Sequence, residues 1–244
     1  MFVTDTGIEV AAITTDQMRE VDRIAIEETG PNLYQMMENA GRNLATLALE
    51  LLGDRWRTAS IVVLAGTGGN GGGGICAARH LANRGARVML CISDRERLGD
   101  VPRHQLHVFE STAGQQLEPA QLADVRPDLI LDALVGYTLQ GAPRGTVQQL
   151  IGWANASGAP IAALDVPSGI DSTTAASPGD HIAARWTMTL ALPKTGLVPE
   201  RTGGLYLADI GIPAAVYRKL GVTYASPFDH RYVVPLRHST ATTR

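Results

Sequence analysis

Cysteine and net charge are both scarce in this chain, and each scarcity excludes a class of protein. The 244 residues include two cysteines, Cys76 and Cys91, which fall on a predicted helix and a predicted strand. This placement predicts small core residues rather than a disulfide framework or a metal pair. The net charge is -3 and the isoelectric point is near 6.1, which argues against the strongly basic surface of a nucleic-acid-binding protein.

Long apolar runs are also missing. No segment has the length of a membrane-spanning helix, and the first residues lack the basic and apolar parts of an export signal. We therefore expect a cytoplasmic protein without a membrane partner. Hydrophobic residues make up 45% of the chain, which is enough to build a sizeable core.

Two helices are predicted near the N-terminus, over residues 14–53. Thr14 and Gln17 have the spacing of a capping box, and apolar residues at helical spacing follow them. A second helix opens at Asn32 and stops at Gly53.

Strands and helices alternate through the rest of the chain. The predicted strands are Ser60–Ala65, Arg87–Ile92, Leu129–Ala133, Ile161–Val166, Trp186–Leu192 and Leu205–Asp209. The main predicted helices are Gly73–Arg84, Pro102–Ser111 and Gly145–Ser157. Apolar strands separated by helices predict an α/β fold whose mostly parallel sheet is covered on both faces. The last two predicted strands lack a long helix between them, so the sheet can have a mixed edge there, with parallel and antiparallel strands side by side.

One domain is predicted over residues 1–244, since there is no internal repeat, low-complexity segment or clear linker. It would consist of the N-terminal helices, an α/β core over about 58–212 and a C-terminal tail. We expect the first ten residues and the tail from about Ser226 to be irregular.

A glycine-rich segment follows the first predicted core strand. Residues 66–74 include seven glycines, and Gly66-x-Gly68-x-x-Gly71 fits the dinucleotide-binding pattern between a strand and a helix. Such a loop lets backbone N–H groups approach a phosphate closely. A plain flexible loop is the structural alternative.

Polar residues mark the ends of three further predicted strands: Asp132 and Asp165 end two of them, and Lys194 follows the next. The carboxyl ends of parallel strands lie at one edge of a sheet, so these residues are expected to converge there with the glycine loop. Strand-end aspartates can also simply cap a turn. The oxygen ligands of Asn70, Asp132 and Ser168 would suit K⁺, Na⁺ or Mg²⁺ rather than zinc.

Other enzyme signatures are missing from the sequence. There is no Gly-x-Ser-x-Gly elbow and no P-loop lysine after the glycines. No histidine and cysteine spacing suggests a transition metal, and His80 and His104 are interpreted as surface helix residues.

Several ordered motifs together carry a family resemblance across roughly residues 11–210. They are Thr15-x-Gln17-Met18-Arg19-x-x-Asp22, Met37-Glu38-Asn39-Ala40-Gly41, the glycine segment, Asp132-Ala133-Leu134-Val135-Gly136 with Gly141-x-Pro143-Arg144, Asp165-Val166-Pro167-Ser168-Gly169-Ile170-Asp171 and Pro193-Lys194-Thr195-Gly196. With these motifs the chain resembles the NAD(P)H-hydrate epimerases, the family of the N-terminal YjeF domain.

The resemblance implies a Rossmann-like three-layer α/β/α sandwich, usually a homodimer. It also implies interconversion of the R and S forms of hydrated NADH or NADPH, with a K⁺ ion held by Asn70, Asp132 and Ser168. By position, the substrate-binding residues would be Gly69, Asn70, Gly71, Gly72, Gly73, Gly136, Tyr137, Thr138, Leu139, Gln140, Gly141, Ala142 and Asp165.

The chain departs from the family pattern in the glycine segment. The family usually has asparagine at the position of Gly69 and aspartate at that of Gly73, so nucleotide contacts made by those side chains are absent here. We predict that Asp165 is the general acid and base of the reaction. Lys194 would either hold a phosphate or tune Asp165.

Two other functions fit parts of the pattern. One is a catalytically inactive or repurposed binding protein on the same fold, because relatives act as scaffolds in RNA decapping or as lipoprotein-binding partners. The other is an NAD-dependent dehydrogenase, which needs an acidic residue at the end of the second core strand. Asp94 is near that position but slightly late.

Overall fold

Ten strands form one sheet in the structure, a computed structural model that describes residues 1–239. The strands are β1 Phe2–Thr4, β2 Glu9–Val10, β3 Ser60–Ala65, β4 Arg87–Ile92, β5 Gln115–Leu117, β6 Leu129–Ala133, β7 Ile161–Leu164, β8 Trp186–Leu190, β9 Gly204–Ala208 and β10 Val233–His238. Their order across the sheet is β2-β1-β10-β9-β8-β7-β6-β3-β4-β5. Pairing is parallel from β9 to β5 and antiparallel from β9 to β2.

Within residues 1–239, seven α-helices and three short turns of other helix types connect the strands. They are α1 Thr15–Ile24, which continues as a π-turn over Ala25–Thr29, α2 Leu33–Leu52, a 3₁₀ turn over Gly53–Arg57, α3 Gly69–Ala82, α4 Asp100–Phe109, a 3₁₀ turn over Pro119–Asp124, α5 Gly145–Ala156, α6 Pro199–Thr202 and α7 Ala214–Lys219. The capping boxes at the start of α1 and α2 are both present, which confirms the two predicted helix starts.

The central strand β3 shows why the fold has three layers. Its residues are all buried and alternate between the two faces of the sheet. Ile61, Val63 and Ala65 pack with residues of α2, α3 and α4, whereas Val62 and Leu64 pack with residues of α5. The predicted α/β fold with a mostly parallel sheet between helices is confirmed.

Strands β7 and β8 each end two residues earlier than predicted. Asp165 and Ala191, the residues that follow them, have left-handed backbone with φ of 68° and 63°. This conformation cannot continue an extended strand. It turns the chain at the carboxyl edge of the sheet, where Asp165 lies.

The expectation that both ends of the chain are irregular is wrong for parts of each. Strands β1 and β10 pair with each other in antiparallel register, from Phe2 opposite His238 to Thr4 opposite Leu236. Phe2, Val234 and Leu236 are buried in one core cluster. Each strand is too short to give a clear pattern alone, and the partner lies more than 200 residues away. The part of the tail over 240–244 lies outside the described residues.

The predicted start of α3 at Gly73 is also wrong, because the helix begins at Gly69 and the glycines form its first turns. A Cβ atom on Gly71 would lie 1.9 Å from the carbonyl oxygen of Gly66, and one on Gly74 would lie 2.5 Å from the Cβ of Ala133. The glycines therefore serve close packing of the helix start against the sheet edge more than loop flexibility.

Helices α2 and α3 are also joined by a polar cluster around Glu38. Its carboxylate accepts a hydrogen bond from Arg79 and lies 2.7 Å from Nε2 of His80, and Cys76 Sγ lies 3.4 Å from it. Burial acts to raise the pKa of Glu38, but the Arg79 and His80 hydrogen bonds outweigh it and lower the pKa to about 2. Glu38, Cys76 and His80 offer three ligand atoms within 4.8 Å, yet the Arg79 guanidinium already supplies the positive charge there.

We expect Glu38→Gln to lower the free energy of unfolding by about 1–2 kcal/mol, because the largely buried Arg79 would lose its charged partner. Glu38 is 41% exposed, so solvent screening keeps the loss modest. Urea denaturation at pH 7 measures it. Glu110→Gln, which breaks the exposed pair with Arg95, is the control and should change stability by less than about 0.5 kcal/mol. Equal losses in the two variants would contradict the prediction.

Candidate active site

A cavity of about 230 Å³ lies between helices α1 and α2 and the carboxyl ends of the parallel strands. Of the residues predicted from the sequence, it is lined by Gly69, Asn70, Gly73, Gly136, Tyr137, Thr138, Asp165 and Lys194. Gly71, Gly72, Leu139, Gln140, Gly141 and Ala142 are not among its lining residues. The cavity thus lies where the predicted strand ends meet, and of the 136–142 segment implied by the family resemblance it is lined by Gly136, Tyr137 and Thr138.

Asp165 and Lys194 form a buried ion pair in this cavity. Lys194 Nζ lies 2.5 Å from Asp165 Oδ1, and the two side chains are 1% and 4% exposed. Nζ also donates to the carbonyl of Leu190 at 2.9 Å and lies 3.5 Å from the hydroxyl of Thr189. Because these acceptors surround Nζ, the ammonium group is engaged within the protein and holds the Asp165 carboxylate in place.

The second oxygen of Asp165 is bound from the other side. Asp165 Oδ2 accepts a hydrogen bond of 3.0 Å from the backbone N–H of Tyr137. Gly136 allows this approach, since a Cβ there would lie 3.1 Å from Asp165 Oδ2 and from the side-chain amide of Asn70. The carboxylate is therefore held at both oxygens at the end of β7.

A second hydrogen-bonded pair, Asp22 and Tyr137, lines the same cavity. Asp22 of α1 accepts a hydrogen bond of 2.5 Å from the hydroxyl of Tyr137. Burial raises the pKa of Asp22, partly offset by the Tyr137 hydrogen bond. Asp22 stands within one of the sequence motifs that carry the family resemblance, but no role was predicted for it. The sequence signal for such a role was its spacing. Asp22 comes four residues after Met18, which puts its carboxylate on the side of α1 that also carries core residues.

The backbone explains how α1 reaches this cavity. Ile13, just before the helix, forms a parallel bridge with Lys194, through hydrogen bonds from Ile13 N to Pro193 O and from Thr195 N to Ile13 O. The segment that carries Lys194 therefore also holds the start of α1, and Asp22 follows two turns later.

Asp132 and Ser168 meet beside the cavity and are both fully buried. Asp132 accepts hydrogen bonds from the Ser168 hydroxyl at 2.6 Å, the Ser168 backbone N–H at 2.9 Å and the Leu134 N–H at 3.2 Å. Burial raises the pKa of Asp132 to about 6, against the opposing effect of these bonds. No basic side chain forms an ion pair with Asp132 within residues 1–239.

Asn70 completes the polar side of the cavity. Its amide lies against Gly136, next to the loop that contacts Ser168 at Val135. Its buried Nδ2 has no hydrogen-bond partner among the described residues, so this donor is available to an acceptor such as a ligand oxygen or a water molecule, while Oδ1 is available to a cation. A carboxylate, a hydroxyl and an amide oxygen are the ligand types that a hard cation such as K⁺ prefers, so the residues present fit such an ion.

The remaining wall of the cavity is apolar. It is built from Met18, Leu33, Met36, Met37, Ala40, Leu164, Leu190 and Ile210. Gly73 lies in this wall, and a Cβ at this position would come within 2.9 Å of Leu164 Cδ2. The site thus combines a small number of convergent polar groups with an apolar surface, which is typical of a small-molecule site.

The sequence matches the family model described as YjeF-related protein N-terminus over residues 33–196. The chain belongs to this family. The match contains the glycine helix, Asp132, Asp165 and Lys194, whereas Asp22 precedes it. The resemblance inferred from the motifs is thereby confirmed.

Two relatives and one solved structure illustrate what the chain is similar to. The protein named NAD(P)H-hydrate epimerase of Dehalogenimonas lykanthroporepellens is 50% identical over 239 residues, which cover 98% of each chain. The enhancer of mRNA-decapping protein 3 of Gallus gallus is 31% identical, over 96% of this chain and 46% of its own length. The crystal structure of yeast ynu0 has a TM-score of 0.75 at 22% identity and covers 93% of this chain and 100% of that one. It supports the fold alone.

Within residues 1–239, no helix has both the length and the apolar character needed to cross a membrane.

Proposed function

We propose that this protein interconverts the R and S epimers of hydrated NADH and NADPH. The observation that carries the proposal is the buried Asp165–Lys194 ion pair, which lines a cavity with many apolar residues and would be suited to proton transfer with a ring bound there. The relative named as an epimerase, 50% identical over nearly the whole of both chains, supports it independently.

The start of α3 is suited to the phosphates of such a substrate. The helix has 14 residues and begins with Gly69 and Asn70 at the cavity. Unpaired N–H groups and the positive end of the helix dipole favour phosphate at a helix N-terminus. The nicotinamide ring would then extend along the apolar wall towards Asp165.

The reaction needs one proton to be moved twice. The substrate carries a hydroxyl at C6 of the reduced ring, beside the ring nitrogen. Protonation of this hydroxyl lets the nitrogen lone pair expel water and leaves a planar iminium. Water then adds to the other face of C6 and loses a proton. Asp165, held by Lys194 and by the Tyr137 N–H, is the group that we assign to this proton transfer.

Potassium would be held by Asn70, Asp132 and Ser168, where its positive charge would compensate the buried Asp132 carboxylate. We expect KCl to raise the midpoint of thermal unfolding above its value in choline chloride of equal concentration. Binding at ten times the dissociation constant corresponds to about 1.4 kcal/mol, which is roughly 3–6 °C for a chain of this size. Asp132→Asn should abolish the difference, and differential scanning fluorimetry measures it.

The exposed aspartate Asp180 offers a control for this experiment. Asp180→Asn should keep the full KCl effect. If wild type behaves alike in the two salts, or if Asp132→Asn keeps the effect, these residues do not hold a potassium ion.

The function itself is tested with hydrated NADH made by acid treatment of NADH. The separated epimers are incubated with the protein, and their interconversion is followed by chromatography against a reaction without protein. Acceleration supports the proposal. Hydrated NADH that binds but is not epimerised faster would identify a binding protein instead.

A repurposed binding protein is the second candidate. The missing carboxylate at Gly73 and the relative named enhancer of mRNA-decapping protein 3 favour it. A dehydrogenase fits less well, because the carboxylate of Asp94 accepts a hydrogen bond of 3.2 Å from the backbone N–H of Arg97 and so caps its own turn.

We also propose a single domain, a homodimer and a cytoplasmic location. Light scattering of the purified protein tests the dimer.

A further inference from the structure

Two carboxyl groups, those of Asp22 and Asp165, line the cavity. The proposed reaction uses Asp165 alone. We propose that Asp22 and Tyr137 form a second proton-transfer pair, which serves the face of the nicotinamide ring opposite to Asp165. This inference rests on the proposed epimerase function and names further catalytic residues for it.

Epimerisation creates the need for a second group. Water must leave C6 on one face of the ring and return on the other. A side chain that is fixed on one face cannot reach both positions without a large movement. Asp165 is fixed, since Lys194 binds one of its oxygens and the Tyr137 N–H binds the other. It can therefore serve one face well and the other poorly.

Tyr137 links the two acidic groups and also keeps them apart. Its backbone N–H donates to Asp165 and its phenol hydroxyl donates to Asp22, so the two carboxylates are separated by about the length of a tyrosine. Lys194 Nζ lies 5.7 Å from the centre of the Tyr137 ring. All four side chains line the same cavity, so both pairs face a ligand that binds in it.

The two pairs also differ in charge. Asp165 shares its pair with an ammonium group, whereas Asp22 shares its pair with a neutral phenol and forms no ion pair among residues 1–239. Burial raises the pKa of Asp22, which favours a carboxyl group that can donate a proton. Contrasting environments of two carboxyl groups in one site are a known basis for dividing acid and base roles between them.

The proton balance is simple in either direction. For one epimer, the Asp22–Tyr137 pair gives a proton to the C6 hydroxyl, the C–O bond breaks with its electrons on oxygen, and the ring nitrogen forms the C=N bond. Water then bonds to C6 from the other face, and its proton passes to the Asp165 carboxylate. The other epimer uses the same groups in reverse, and solvent restores both protonation states.

Oxygen-18 exchange distinguishes one group from two. Each epimer is incubated separately in ¹⁸O-labelled water with wild type, Asp22→Asn, Tyr137→Phe or Asp165→Asn. The epimers are then separated, and the ¹⁸O content of each is measured by mass spectrometry. In Asp22→Asn and Tyr137→Phe we expect inversion to fall by roughly 100-fold or more. The epimer whose hydroxyl faces Asp165 should still take up ¹⁸O with retention, within about tenfold of the wild-type rate.

The mirror pattern is the decisive result. Asp165→Asn should allow exchange with retention in the opposite epimer, which a merely structural role of Asp22 cannot produce. Asp16→Asn, an exposed change on the same helix, should behave as wild type. If Asp22→Asn slows exchange and inversion equally in both epimers, or changes neither, the second pair is not catalytic. If wild type catalyses neither process, the proposed function fails and this inference fails with it.

Discussion

Replacing Asp165 by asparagine should slow the interconversion of the epimers by roughly 100- to 10,000-fold, the usual contribution of a positioned acid or base. Asparagine keeps the shape of the side chain and can still accept the hydrogen bond from Tyr137 N–H. It cannot accept a proton from the incoming water. Epimer interconversion at saturating substrate, followed by chromatography, measures the effect.

Stability needs a separate control in this experiment. Asp165→Asn leaves the Lys194 ammonium buried without its partner, and breaking a buried ion pair in this way costs about 3–5 kcal/mol. The double variant Asp165→Asn with Lys194→Met removes the unpaired charge and should recover stability but not activity. Asp180→Asn should retain full activity. Interconversion by a folded Asp165→Asn protein within about threefold of wild type would rule out the assigned role.

Gly71→Ala should be the most destabilising single-atom addition in the glycine helix. The new Cβ would lie 1.9 Å from the Gly66 carbonyl oxygen and 2.4 Å from its carbon. These are backbone atoms that cannot rotate away, so either the helix start or the strand-end turn must move. We expect a loss of at least about 3 kcal/mol, which is a drop of roughly 6–12 °C in the unfolding midpoint.

Gly68→Ala is the matched control for this change. Gly68 precedes α3 with an ordinary φ of -98°, and a Cβ there would meet no atom within 4 Å. It should lose less than about 1 kcal/mol, the difference between glycine and alanine at a helix N-cap. Similar losses in both variants would indicate that the glycines serve backbone flexibility rather than close packing.

The core strands were predictable because burial on both faces leaves a plain signal. The predicted bounds of β3, β4 and β6 agree with the structure residue for residue. Parallel strands between two helix layers contain continuous apolar residues, and polar residues mark their ends. The same reasoning located Asp132, Asp165 and Lys194 at one edge, as the structure has them.

Features that depend on distant contacts were not predictable. Glycine has a low helix propensity, so the start of α3 was missed although packing against Gly66 and Ala133 requires glycine there. Strand β10 is stabilised by β1 and β9, and neither neighbour is close in sequence. The contact between Asp22 and Tyr137 spans 115 residues, so its two members appeared in separate motifs.

Because Lys194 is buried, chemical labelling of its amine can report local opening of the structure. The sequence contains one other lysine, Lys219, whose side chain is 48% exposed, compared with 1% for Lys194. An acylating reagent should therefore label Lys219 and the terminal amine in the native protein, and Lys194 only in molecules whose strand-end loop has transiently opened. The slow growth of label at Lys194 would give the frequency of local opening at this cavity without any engineered probe.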